Sequence, residues 1–396
     1  MYDAWLAHWA IQPWPACRAI VASVMVLLAM LGCTPAAPPT PSGEARPVIA
    51  AARTESAPPI AEALGAERCL TGPAPQPLVS LRYGSLRSMS GAGVFIAAGR
   101  GYFQELGLDV MVEPFRSAPD LLPALASDQI EVGASAPNAG LYNALARGVP
   151  IKIIGEQGSS VPGREGYYAV VVRKDLWDHG EVRSLADLRG RTIAVTGVGG
   201  GGSFEIAINR VLQRAGLDPT DVNLVNLSFL DLNPALASGA VDLAVNIEPF
   251  LTQGQERDVF AVWLRPEDIW DSAHMEAVVM ASPGLIARPE IANRFMVGYL
   301  KGVRDFLDAF WLGRGDKDSL IPLLAQHTGV TDPLLWHKLR PPWVDPNGRI
   351  NVESLARDME WNARAGYFRG ELDVAAVVDP SFAACAVREL GAYPGS

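Results

Sequence analysis

Basic clusters are missing from this chain. Lys and Arg number 33 against 43 Asp and Glu, the formal net charge is −10, and no basic block occurs anywhere. Nucleic acid and anionic membrane surfaces are therefore poor partners. Histidine is scarce: His8, His179, His274, His327 and His337 show no H-x-x-x-H spacing, and no C-x-x-C occurs. That excludes the common metal signatures, and no cofactor is expected. There is no G-x-S-x-G nucleophile elbow, and no Lys follows the glycines after Gly202, which excludes a P-loop. The apolar run Ala19 to Leu31 is about 13 residues, short of the roughly 20 that a membrane span needs.

What is present is globular. The 396 residues are 49% hydrophobic and 19% charged, enough for two or more lobes at about 100–200 residues per domain. Arg18 precedes the short apolar run, which ends in Gly32-Cys33 and has signal-peptide length. With "LLAML" upstream, the segment resembles a bacterial lipobox, in which the cysteine becomes the lipidated first residue. Met30 and Leu31 depart from that pattern, and Asp3 leaves the translation start open. Residues 1–32 are read as a signal peptide and Cys33 as the lipidation site; a plain cleaved leader and a retained anchor stay as alternatives. Residues 33–76 hold a Pro/Ala/Ser-rich stretch with few large apolar side chains, read as a disordered tether. Cys17 and Cys33 fall in the leader, so Cys69 and Cys385 remain for a disulfide in an exported domain. Two unrelated buried thiols are the alternative.

From Leu78 onward strand-like and helix-like runs alternate, as in "LVSLRYG", "GVFIAAGRGYFQELG", "LDVMVEPF", "APDLLPALASDQ" and "IEVGASAP". A second series starts at "SLADLRG" and "RTIAVTG". From Pro289 the pattern is mostly helical. This predicts an α/β fold with largely parallel sheets.

Seven phrases then carry a family likeness in order: "FIAAGRGYFQELGLDVMVEPF", "LASDQIEVGASAP", "SLADLRGRTIAV", "RAGLDPTDVNLV", "LASGAVDLAVNIEPF", "RPEIANRFM" and "NARAGYFRGELDVAAVVDPSF". From about Leu78 to Phe382 the chain resembles the periplasmic solute-binding proteins of bacterial ABC importers, in the nitrate, sulfonate, taurine and thiamine-pyrimidine group. The resemblance implies a two-lobed periplasmic-binding-protein fold of type II with two crossing strands, at "VVVRKD" and "VVMAS", and a mostly helical C-terminal part. One lobe would combine residues 77–171 with 280–396, and the other would span 172–279. Ligand would sit between them, at the carboxyl ends of the parallel strands, with hinge closure around it.

Gly197, Gly199 and Gly202 form a literal G-x-G-x-x-G between a strand and a helix. The small lobe and the exported setting argue against a dinucleotide, although Asp231 stands near the place of a ribose-binding acid. The same loop, Gly200, Gly201, Gly202 and Ser203, suits a clamp on an oxyanion or polar group through helix N–H groups. In the plainer reading Ser203 is only an N-cap.

Other cleft candidates follow the strands. Ser88, Met89 and Ser90 follow the first; Arg116 and Ser117 follow the second, where a guanidinium suits a carboxylate, sulfonate or nitrate or is simply solvated. Ser135 and Asn138 follow the third, and Glu156 and Gln157 end the fourth. Phe229, Asn246 and Glu248 end strands of the second lobe. Glu156 and Glu248 suit N–H donors of an amino-substituted ring, ion pairing with Arg116, or closing the lobes against each other. Trp311, Trp336, Trp343 and Trp361 read as packing residues.

The function expected from the resemblance is an extracytoplasmic solute-binding lipoprotein. It would capture a small anionic, sulfonate-like or heteroaromatic solute and deliver it to an ABC permease and its ATPase, touching the membrane only through its lipid anchor. The alternatives are an enzyme on the same fold, of the pyrimidine-precursor synthase or lyase type, and a solute-sensing lobe for a signalling partner. The cysteine-rich iron motif of the synthases resembling this family is not found.

Overall fold

The computed structural model describes residues 69–164 and 166–394; the leader, Cys33 and most of the tether lie outside them. Among the described residues, ten strands build two five-stranded sheets. The first contains β1 (Val79–Ser85), β2 (Leu108–Pro114), β3 (Val132–Ser135), β4 (Lys152–Ser160) and β10 (His274–Ala281), in the order β2-β1-β3-β10-β4. The second contains β5 (Tyr168–Arg173), β6 (Thr192–Val195), β7 (Asn223–Asn226), β8 (Leu243–Ile247) and β9 (Phe260–Leu264), in the order β7-β6-β8-β5-β9.

The two sheets follow one plan. A parallel trio (β2-β1-β3 or β7-β6-β8) is joined by an antiparallel strand, β10 or β5, and closed by an edge strand. Strand sequence explains the positions. β5 reads Tyr-Ala-Val-Val-Val and buries all five of these residues, as a central strand covered on both faces must. β2 lies at an edge and begins with alternating buried and exposed residues.

The chain leaves the first sheet after Ser160 and joins the second at Tyr168; it leaves the second after Leu264 and returns at His274. The crossings expected at "VVVRKD" and "VVMAS" thus lie within β5 and β10 and their ends, and the actual passages are the segments just before those strands. A continuous apolar run marks a buried strand, and it does not reveal where the chain changes sheets. β9 was not anticipated: "FAVWL" is short and only half-buried.

The C-terminal part is helical and packs onto the first lobe. The helix Pro289–Phe310 is 22 residues long and crosses the helix Ala92–Gly99 closely. A Cβ on Gly302 would stand 2.0 Å from the Gly93 carbonyl oxygen, so only glycine permits that approach. The helix Ser381–Leu390 carries Cys385, which is bonded to Cys69 with a Cα–Cα distance of 5.6 Å. The folded body therefore begins no later than Cys69. The Cys69 and Leu70 N–H groups donate to Glu389, and Arg294 donates to the Thr71, Gly72 and Pro73 carbonyls. No helix among the described residues is long and apolar enough to cross a membrane.

Candidate solute cleft

Loops at the carboxyl ends of both parallel trios face each other across a narrow cleft. The first lobe contributes Ser88 and Ser90 after β1, Ser135 at the end of β3 and Asn138 beyond it. The second contributes Thr196, Gly197, Gly200 and Gly202 after β6 and Phe229 after β7. The lobes touch around its rim: Ala139 N–H donates to the Gly200 carbonyl at 2.8 Å, and the Ser203 hydroxyl donates to the Glu276 carbonyl at 3.2 Å.

The glycine loop is more self-contained than its sequence suggests. Gly197, Gly199 and Gly201 all have positive φ. The Gly197 N–H donates to Asn226, Gly200 to the Gly197 carbonyl, and Gly201 to the Glu205 carboxylate. Those donors are thus taken before any solute arrives. The helix is capped by Gly202 without a side-chain bond, so Ser203 is its first residue and not the cap. Gly201 is turned away from the cleft: its carbonyl accepts from Asn362, and a Cβ there would lie 1.6 Å from Asn362 Oδ1.

The other candidates divide. Ser88 and Ser90 share a hydrogen bond of 2.6 Å at the cleft wall. Asn138 caps its own helix through Leu141 N–H. Met89 is wholly buried in the core. Arg116 lies in a separate outer pocket with Phe115, Ser228 and Asp231, reached past Leu86 and Phe229, which both spaces share. Ser117 donates to Asp120. Glu156, Asn246 and Glu248 sit behind the wall. Glu156 accepts from Asp345 N–H, Asn246 donates to Asn233, and Glu248 accepts from Thr252 and from Arg340 N–H. Burial pushes the Glu156 carboxyl up to about 8 and Glu248 to about 7, against the pull of those hydrogen bonds.

Of the pair at the end of β4, Gln157 lines the cleft and Glu156 does not, and Ile247 lines it in place of Asn246 and Glu248, because alternate residues of a strand face opposite sides. Tyr83, Tyr167, Thr196, Phe204 and Glu276 also line the wall and were not among the sequence candidates. Tyr167, Tyr168, Phe204 and Phe229 form an edge-to-face series with centroids 5.0–6.0 Å apart. Gln157 donates to the Tyr83 hydroxyl. Glu276 is buried within β10, and its Oε2 has no partner among the described residues. A charged residue inside the otherwise apolar run "EAVVMA" was the available signal. Among the described residues, no Arg, Lys or His lines this cleft.

Two sheets of this plan, joined by two passages and closed over a cleft, define a periplasmic-binding-protein fold. The chain belongs to the NMT1/THI5-like family, whose model matches residues 89–309. Its structure resembles the periplasmic nitrate-binding protein NrtA from Synechocystis PCC 6803 (TM-score 0.66, 16% identity, covering 80% of this chain and 90% of that one). It also resembles the alkanesulfonate-binding protein SsuA from Xanthomonas axonopodis pv. citri, bound to MOPS (TM-score 0.61, 19% identity, covering 78% and 100%). In sequence it is 23% identical over 155 residues to the 4-amino-5-hydroxymethyl-2-methylpyrimidine phosphate synthase of Schizosaccharomyces pombe, a match covering 39% of this chain and 40% of that enzyme's length.

Proposed function

We propose that this chain is the extracytoplasmic solute-binding lipoprotein of an ABC importer, and that its solute is a small planar heteroaromatic molecule. The observation that carries this is the cleft lining: aromatic walls, hydroxyl and amide groups, and a carboxylate, Glu276, with no cationic side chain among the described lining residues. Flat rings gain from edge and face contacts with Tyr167, Phe204 and Phe229. Ring N–H groups find acceptors in Glu276 and the serines, whereas a sulfonate or nitrate would meet a carboxylate and few free donors. The leader and tether, with Cys33 lipidated, would hold the domain beside its permease and ATPase.

The kinship to a pyrimidine synthase favours a second reading, an enzyme acting on a similar ring. Native mass spectrometry of the purified chain, followed by a thermal-shift panel of aminoheterocycles, sulfonates and nitrate, tests both. Aminoheterocycles should raise the melting temperature and be recovered unchanged. Turnover would replace the transport reading with the enzymatic one. Stabilisation by anions alone, lost in Arg116→Ala, would overturn the heteroaromatic assignment.

A further inference from the structure

Glu276 is not isolated behind the cleft. It shares β10 with His274, the first strand after the return passage, while Ser160 ends β4, the last strand before the outward one. Asp358 reaches the same point from the helix Val352–Arg364. All four residues are buried. His274 Nε2 lies 3.0 Å from Asp358 Oδ1. Its Nδ1 lies 3.3 Å from Glu276 Oε1, a close charge contact without hydrogen-bond alignment. The Ser160 hydroxyl donates to that same Oε1 at 2.7 Å. Trp270 stacks on the imidazole with ring centroids 3.6 Å apart.

Glu276 lies in the cleft wall with its side chain wholly buried, whereas His274 and Asp358 line a second pocket with Arg210, Trp270, Arg357 and Trp361. The cluster thus forms part of the wall between the two spaces, beside both interlobe passages. Two carboxylates share one imidazole, and each keeps a buried oxygen without a partner, Glu276 Oε2 and Asp358 Oδ2. With the imidazole protonated, one negative charge remains uncompensated, and a buried charge of that kind is costly until something pairs with it.

We propose that His274 and Asp358 are positioning residues that hold Glu276 in the cleft wall with one negative charge left for the solute, so that capture selects molecules presenting a cationic or N–H donor edge. The inference rests on the cleft being the solute site. Burial opposes a charged imidazole, but Asp358 and then Glu276 outweigh it and raise the His274 pKa to about 10. The other ionisable groups nearby do not supply the balance. Tyr167 and Tyr168, pushed well above the usual phenol range by burial and by Glu276, stay neutral. Arg210 and Arg357, at the second pocket, pair with Asp271 at 3.0 Å and Glu353 at 2.8 Å.

The test uses the full-length chain with benzamidine, cytosine and benzenesulfonate as probes. Benzamidine should bind more tightly than benzenesulfonate, and Glu276→Gln should weaken it roughly tenfold or more. In the wild type the benzamidine affinity should be flat from about pH 6 to 9, because His274 stays protonated throughout. In Asp358→Asn the imidazole loses one carboxylate and titrates within that window. Benzamidine then binds weakly near pH 6, where the remaining pair is neutral, and recovers as the imidazole loses its proton. A merely structural role for Asp358 would not produce that profile, and a flat profile in Asp358→Asn overturns the proposal. Imidazole nitrogen NMR on the wild type decides the cluster without any variant: His274 titrating near its ordinary value overturns the positioning role. If the imidazole stays protonated but no probe binds the wild type, it is the cleft's assignment as the solute site that fails.

Discussion

Removing the Cys69–Cys385 bridge is the perturbation whose size the structure bounds best. The two residues are 316 apart in sequence, and the chain-entropy relation for a loop of that length gives roughly 5–6 kcal/mol as a ceiling. The realised loss should be smaller, because residual structure in the denatured chain and relaxation of the native one reduce the effect of a bridge. Glu389 accepts two N–H bonds from the N-terminal segment, at 2.8 and 3.1 Å. Arg294, itself buried, donates to three successive carbonyls at 3.1–3.3 Å and pairs with Glu290. Those contacts keep the segment docked after reduction, so the loss registers in global unfolding, at about 3 kcal/mol. For a domain of this size that lowers the melting temperature by roughly 4–5 °C. Cys69→Ser/Cys385→Ser compared with oxidised wild type, by calorimetry and urea titration, measures it. Neither cysteine lines the cleft, so probe affinity should not change. A variant within about 1 kcal/mol of wild type would refute the reasoning, as would a digest of the oxidised protein lacking a linked Cys69–Cys385 peptide.

Three further outcomes follow from packing and charge. Gly201→Ala must adopt φ near +64° and push against buried Asn362; a loss of about 2–4 kcal/mol in chemical denaturation is expected, and a neutral result would mean the loop is not held against that helix. Phe204→Leu removes the ring between Tyr168 and Phe229 and should weaken cytosine binding about three- to tenfold in calorimetric titration; unchanged affinity would remove Phe204 from the solute wall. Stability should depend on pH through the buried carboxyls, with Glu156 held at about 8 and Glu248 at about 7 in the native state against 4.5 as their ordinary value. Between those limits the unfolded chain releases protons that the native state keeps, so stability falls as pH rises and levels off above about pH 8. Glu156→Gln should flatten much of that slope in denaturation measured from pH 5 to 8, and an unaltered slope would assign it to other groups.

The sequence by itself determined the architecture. Alternating strand and helix runs indicated the α/β class, because periodicity and turn residues are local properties, and the two-lobed arrangement followed from the family resemblance that seven phrases carry in order. The pairing of Cys69 with Cys385 was also legible, once the leader accounted for the other two cysteines. What only the tertiary structure decided was which side chains meet. A strand turns successive residues to opposite faces, so Gln157 and Ile247 line the cleft while Glu156 and Glu248 lie behind it. The glycine loop looked like a set of free donors, yet Asn226 and Glu205, 29 and 4 residues away, already accept from it. The meeting of Ser160, His274, Glu276 and Asp358 draws on two strands and a helix separated by up to about 200 residues of chain, and only the folding of both passages past one helix brings those charges together.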